Sequence, residues 1–290
     1  MSGGAVFRSA QAAAAVERQY RRVLLSWPVP SSQTILPTCQ GPTFVIACGP
    51  EDGPPVVLLH GSQANSASWM FDAALWAGRF RLYAVDMIGE AGLSAQVRPE
   101  LAGDAHARWL DDVFAGLGLS RAAVVGTSLG GWLALDYAVR RPGAVDALAL
   151  ICPAGVGRQK NFLLKAAPLL LLGSWGKRRM RAMVFGPAPA EVPDAVRPLA
   201  KLMELVGKAI RPRVVRIPLL SDADLRGLKM PILAVMGGKD ALLDTRHARG
   251  RLERFVPHAE VCFLEEGYHF LPGQAPRVMQ FLERHLGRVG

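Results

Sequence analysis

The stretch VVGTSLGGWLAL, residues 124–135, decides how the chain is read. Gly126, Gly130 and Gly131 surround Ser128, with an apolar run before them and a helix-like run after. Gly126-Thr127-Ser128-Leu129-Gly130 has the form G-x-S-x-G at a strand-to-helix turn. A turn that sharp brings chain segments too close for large neighbours. Its serine is held in a strained conformation with the hydroxyl projecting from the sheet edge. The amides that open the next helix point at the same place and favour negative charge there. A purely structural glycine-rich turn would have the same composition, so the rest of the chain has to decide.

Working outward, short apolar runs alternate with helical patterns. Residues 43–48, 55–60, 81–86, 122–126, 146–152, 231–237 and 260–265 read as strands. Several are apolar at nearly every position, as strands buried on both faces are. Helical periodicity covers residues 65–77, 103–117, 128–140, 242–255 and 274–286. This alternation predicts an α/β fold, a mostly parallel sheet covered by helices. It breaks over residues 158–229, which read as helical without clear strands. That segment is expected as an insertion between the fifth and sixth of these strands, lying over the sheet's carboxyl edge. The expected division is a core of residues 1–157 and 230–290 and a helical cap of residues 158–229.

A serine hydroxyl needs a base, and the base needs an orienting carboxylate. In this architecture they follow in the order serine, acid, histidine. PILAVMGGKDALLD, residues 231–244, supplies Asp240 just past a late strand, and CFLEEGYHF, residues 262–270, supplies His269 past the last one. His106, His247 and His285 fall in helical patterns and His258 precedes the last strand, so each fits worse. Asp244 competes as the acid, but a carboxylate at a helix start is commonplace there. Glu265 and Glu266 read as a solvated strand end. Two backbone amides should bind the oxyanion. One is Leu129, after the nucleophile; the other lies in LLHGSQANSASW, residues 58–69, at Ser62, with Gln63 the alternative. His60 reads as a brace for that loop.

Together HGSQANSASW, VDMIGEAGLSA, GTSLGG, GGKD and EEGYHF resemble the α/β-hydrolase superfamily, and bacterial carboxylesterase-type members with a helical cap in particular. The resemblance implies Ser128 as nucleophile, Asp240 as acid and His269 as base, and makes Asp86 a structural aspartate. Dehalogenase-type and epoxide-hydrolase-type relatives carry Asp where this chain has Ser128. Proline-iminopeptidase relatives carry an HGGPG-like loop that HGSQA does not match. The expected activity is cleavage of a small-molecule carboxylic ester, or less readily a thioester or amide, with no cofactor and no metal. The rivals are C–C bond hydrolysis or a lyase reaction with the same triad, and a catalytically idle hydrolase fold that binds a partner.

Composition sets the remaining expectations. The chain has 290 residues, half of them hydrophobic, which argues against wholesale disorder. No apolar stretch is long enough to span a bilayer, and the opening residues lack the positive-then-apolar layout of a signal peptide, so a cytoplasmic protein is expected. Cys39, Cys48, Cys152 and Cys262 form no metal-spaced cluster and read as small buried hydrophobes. The net charge of +10 is concentrated. Residues 158–229 hold fifteen Lys and Arg against five Asp and Glu, and the rest of the chain balances to zero. The cluster Lys177-Arg178-Arg179-Met180-Arg181 follows Leu169-Leu170-Leu171-Leu172. This points to an apolar substrate or surface with negative charge nearby, peripheral membrane contact included. Nucleic acid is a poor fit, because Leu, Met and Pro interrupt the charges and no recognition motif appears.

Overall fold

The computed structural model describes residues 6–188, 191–213 and 215–287. Its strands are β1 (Ser31–Leu36), β2 (Thr43–Cys48), β3 (Pro55–Leu59), β4 (Arg81–Val85), β5 (Ala122–Thr127), β6 (Val145–Ile151), β7 (Ile232–Gly237) and β8 (Glu260–Leu264). They form one sheet in the order β1-β2-β4-β3-β5-β6-β7-β8. β1 and β2 pair antiparallel, as do β2 and β4; every other neighbouring pair is parallel. The helices are α1 (Ala10–Leu24), α2 (Met70–Trp76), α3 (Ala105–Gly116), α4 (Leu129–Arg140), α5 (Phe162–Leu170), α6 (Gly173–Phe185), α7 (Arg197–Ala209), α8 (Asp222–Gly227), α9 (Thr245–Phe255) and α10 (Ala275–Leu286).

The alternation of side chains along the central strands builds two cores. Val57 and Leu59 of β3, Val124 of β5, and Leu148 and Leu150 of β6 face α3, α4, α8 and α9, meeting Trp109, Trp132 and Leu252. Val56, Leu58, Ala123, Val125, Ala147 and Ala149 face α1, α2, α7 and α10, meeting Tyr20, Trp76 and Phe281. Each fully buried Val or Leu contributes about 1.5–3 kcal/mol, so strands apolar at every position are held from both sides.

This topology fixes where a site can lie. From β3 the chain runs through α2 to β4 on one side, then through α3 to β5 on the other side of β3. The connections diverge at the carboxyl ends of β3 and β5 and open a crevice there. Ser128 follows β5 and the Gly61–Ser62 loop follows β3.

The seven expected strands are present, with ends shifted by a residue or so. Two elements were not anticipated. β1 is exposed at five of its six residues and pairs only with β2, so it carries no alternating hydrophobic signal. α1 buries Val16, Tyr20, Val23 and Leu24, one helical stripe, and Ser9 caps it by accepting the Ala12 N–H at 3.1 Å. Two expected helices are shorter. Residues 66–69 form a tight 3₁₀ turn before α2, because Asn65 accepts the Ala67 N–H and Asp86 accepts the Ser66 N–H. α9 begins at Thr245 rather than 242, because the Asp240 carboxylate holds the preceding turn. The cysteines are also corrected: Cys48 and Cys152 are buried and Cys262 is half-buried, but Cys39 is exposed.

Residues 158–229 carry α5 to α8 and no named strand among the described residues. Within that segment α7 buries Leu202, Val206 and Ala209 in the same core as α1. α6 reaches the loop after β8, where Phe270 N–H donates to the Val184 carbonyl at 3.2 Å and the Phe185 and Phe270 rings lie 5.8 Å apart.

Candidate active site

The turn at Ser128 has the backbone that its flanking glycines allow. Ser128 adopts φ 53°, ψ −109°. A Cβ on Gly126 would come within 2.5 Å of the Gly130 carbonyl oxygen, and one on Gly130 within 2.1 Å of the Leu59 carbonyl oxygen. Neither position can carry a side chain, so the motif's glycines are steric requirements. The turn is pinned to the end of β6: Ser128 N–H donates to Ile151 O at 2.9 Å and Ala154 N–H to Ser128 O at 3.1 Å. Leu129 is the first residue of α4, where an N–H has no acceptor within its own helix.

His269 lies on the loop after β8 and Asp240 on the loop after β7. The structure brings both to Ser128: His269 Nε2 is 3.0 Å from Ser128 Oγ, and His269 Nδ1 is 2.7 Å from Asp240 Oδ2. An ionised carboxylate only accepts, so the Nδ1 proton belongs on the Asp240 side and Nε2 is left to accept from the serine hydroxyl. Asp240 is 1% exposed, and its Oδ1 accepts the N–H groups of Leu242 at 2.7 Å and Leu243 at 2.9 Å. Both carboxylate oxygens are therefore committed. Asp244 is elsewhere engaged, capping α9 by accepting the His247 N–H at 3.1 Å. Glu265 and Glu266 are at the surface, paired with Arg246 and Lys239.

The loop after β3 abuts the serine turn; a Cβ on Gly61 would lie 3.7 Å from Ser128 Cβ. The Gln63 N–H donates to Glu90 Oε2 at 2.6 Å, whereas the Ser62 N–H meets no acceptor among the described residues. Of the two candidate donors in this loop, Ser62 is the one with a free amide. His60 is fully buried and holds two backbone groups, its Nδ1 donating to Gly61 O at 2.8 Å and its Nε2 accepting the Met87 N–H at 2.9 Å. Burial pushes its pKa down, keeping it neutral for that brace. Asp86 is likewise structural in its bonding: it accepts from Tyr20 Oη at 2.9 Å, Ser66 N–H at 2.8 Å and Leu93 N–H at 2.7 Å. His106 packs edge-on against Trp132, and burial pushes its pKa down to about 4.

Three neighbours were not singled out from sequence. Lys160 Nζ donates to the Asp240 carbonyl at 2.6 Å, tying the start of the helical segment to the acid's loop. Glu90 sits buried against the Ser62 loop. Cys152, at φ 44°, follows β6, and the possible metal-ligand atoms of Cys152, Asp240 and His269 all lie within 4.8 Å of one another. Burial pushes the Cys152 thiol up, keeping it protonated, and the other two groups already bond each other. A thiol held protonated, beside a histidine and a carboxylate already bonded to each other, is a poor metal site. Lys160 and Cys152 owe their places to chain segments that meet only in the fold; the cue for Glu90 was a charged residue inside the IGEAG turn.

Residues 56–279 match the alpha/beta hydrolase family. The uncharacterised carboxylesterase nap of Bacillus subtilis (strain 168) is 31% identical over 276 residues, covering 92% of this chain and 92% of its own. The carboxylesterase YbfK of the same strain is 29% identical over 273 residues, 91% of this chain and 92% of its own. Among solved structures, that of naproxen esterase (carboxylesterase NP) from Bacillus subtilis is similar with a TM-score of 0.81 at 28% identity, covering 97% of this chain and 100% of the other.

Proposed function

We infer that this chain, which belongs to the alpha/beta hydrolase family, hydrolyses carboxylic esters through an acyl-enzyme on Ser128. The observation that carries this reading is the continuous relay from Ser128 Oγ through His269 to Asp240. Ser128 Oγ attacks the ester carbonyl as His269 Nε2 takes its proton. Asp240 stabilises the imidazolium that forms. The amides of Leu129 and Ser62 receive the oxyanion; donors of this kind stabilise charge only as it develops, and so lower the barrier. His269 returns the proton to the departing alkoxide. A water, deprotonated by His269, then attacks the acyl carbonyl and releases the acid. The rival C–C hydrolase or lyase reading has less support, since nap and YbfK, each matched over more than nine tenths of its length, carry carboxylesterase names.

Within residues 158–229, α5 to α7 serve as the cap over this site in the same reading, whereas α8 packs in the core layer beside α4 and α9. What supports it is the contact of α6 with the residue after His269 and the character of its surface. Leu171 and Leu172 are 88% and 52% exposed, and Trp175 on α6 is 54% exposed, with Arg178 and Arg179 one helical turn further along the same face. The Leu170 side chain lies outside the described residues. This surface suits an apolar group with negative charge nearby: an ester of an anionic substrate, or an anionic membrane that presents one. Among the described residues no helix is long and apolar enough to cross a membrane.

The test is a matched pair of esters, equal in length, one neutral and one anionic, assayed as kcat/KM from low to high salt. Screening acts over about 8 Å at physiological ionic strength. Raising salt is expected to lower kcat/KM for the anionic ester and leave the neutral one nearly unchanged. Equal responses would reduce the basic surface to solvation.

A further inference from the structure

We propose that Glu90 is a positioning residue for ester hydrolysis, a buried clamp that aims the Ser62 amide into the oxyanion site by holding Gln63. The proposal rests on the reading of Ser128 as nucleophile and Ser62 as second oxyanion donor. Its starting point is a cost. Glu90 is 1% exposed, and burying a carboxylate is unfavourable unless hydrogen bonds and opposite charges offset it, so its partners are the ones to read. Glu90 stands in the turn after β4, and what it holds is the loop after β3. Its Oε2 accepts the Gln63 N–H at 2.6 Å, a short charge-assisted bond, and the Ser62 hydroxyl lies 3.4 Å from the same oxygen.

The residue it grips is the strained one. Gln63 has φ 58°, one of three left-handed non-glycine residues among those described. The other two are Ser128 and Cys152, so all three stand around the proposed catalytic centre. A left-handed glutamine persists only where something outside it overdetermines the backbone. The peptide between Ser62 and Gln63 is fixed by the Glu90 bond on one side. The peptide before it is fixed by His60, whose ring bonds the Gly61 carbonyl. The Ser62 N–H belongs to that second peptide, and it is the group left without an acceptor beside Ser128. His60 and Glu90 thus grip the loop from both ends of the donor.

The clamp is itself braced. The Glu90 N–H donates to Met87 O, in the same turn whose Met87 N–H donates to His60. Burial pushes the Glu90 carboxyl up, and the Gln63 amide and the guanidiniums of Arg98 and Arg213 pull it part of the way back. Arg213 comes from the helical segment; it donates to the Pro99 carbonyl, while Arg98 donates to Gly89 O at 2.8 Å and Arg211 O at 2.9 Å. The exit of the cap segment is in this way fastened to the turn that carries Glu90.

The experiment compares Glu90→Ala, Glu90→Asp and Glu90→Gln with the parent. It reads kcat, KM, Tm and the inhibition constant of a boronic acid, which forms a tetrahedral adduct on the serine and so fills the oxyanion site. Removing an oxyanion donor outright costs about 10²–10³ in kcat, so letting one swing away is expected to cost about 10–100-fold in Glu90→Ala. KM should hold near the parent value, and the boronic acid should weaken by the same factor as kcat. Glu90→Asp draws the carboxylate back by one methylene and should behave like Glu90→Ala. Glu90→Gln keeps an acceptor for the Gln63 N–H and should restore most of the rate. Parent-like kcat in folded Glu90→Ala or Glu90→Asp overturns the clamp. So does a loss of rate with unchanged boronic acid binding, or a Glu90→Gln variant as slow as Glu90→Ala, which would make charge rather than position the cause. Should Glu90→Ala fail to fold, Glu90→Asp and Glu90→Gln decide by the same criteria. Retention of activity in Ser128→Ala would instead sink the reading on which the clamp rests.

Discussion

Ser128→Ala is expected to abolish ester hydrolysis while the protein remains folded. In a serine protease the loss of the nucleophile costs about 10⁶-fold in kcat, and a comparable loss is expected here. Among the described residues, neither the Cys152 thiol nor the Ser62 hydroxyl offers a substitute. The Cys152 thiol is fully buried and pushed toward its protonated form, and the hydroxyl of Ser62 is turned to Glu90. Stability should change little, for a physical reason. The backbone hydrogen bonds that pin the turn run through Ser128 N–H and Ser128 O, not through its hydroxyl, whose one partner among the described residues is His269. Alanine meets the same left-handed strain as serine, so φ 53° adds no new penalty. The measurement is hydrolysis of a short activated ester together with a thermal melt. Most of the activity surviving in a clean, folded Ser128→Ala preparation would contradict the mechanism.

Asp240→Asn is expected to lower kcat by about 10⁴-fold, the cost of the corresponding change in a serine protease. The hydrogen bonds around Asp240 explain why the amide cannot adapt. Oδ1 accepts two backbone N–H groups, from Leu242 and Leu243. An asparagine must turn its carbonyl oxygen toward those two donors, which leaves its NH₂ facing His269 Nδ1. That forces the imidazole proton onto Nε2, where it confronts the serine hydroxyl and can no longer accept from it. Asp244→Asn should leave kcat within a few-fold of the parent, because Asp244 caps α9 and asparagine caps about as well as aspartate. The assay is the same ester with both variants side by side. A larger loss in Asp244→Asn than in Asp240→Asn would show that the acid had been misassigned.

What was legible in the sequence is what local composition controls. β3, β5, β6 and β7 are buried on both faces, so their residues are apolar almost without interruption and stand out from any surrounding loop. Ser128 and Asp240 follow the ends of two such strands, β5 and β7, and His269 follows the half-buried edge strand β8, so strand ends and chain order together point to all three. In the sequence, only distance from a strand end separates Asp240 from Asp244; the geometry separates them by partner, His269 for one and the start of α9 for the other.

What was not legible depends on partners distant in sequence. β1 is an edge strand with five of six residues exposed, so its pairing with β2 rests on backbone bonds that no side-chain pattern announces. α1 has a clear apolar stripe, but only the fold reveals that Tyr20 reaches Asp86, 66 residues away. Glu90 and Gln63 are 27 residues apart, and their contact exists because β3 and β4 lie side by side and bring the turns after them together. Residue type alone groups Cys39 with the buried cysteines; its exposure reflects its place in the turn between β1 and β2.

The most direct test of Ser128 as the acyl-forming nucleophile is to treat the active protein with a fluorophosphonate, digest it and locate the adduct by peptide mass spectrometry. The expected result is a single adduct on Ser128, appearing in step with the loss of esterase activity and absent from Ser128→Ala. Inactivation with the adduct on any other residue, or full esterase activity in protein that the reagent never modifies, would contradict it.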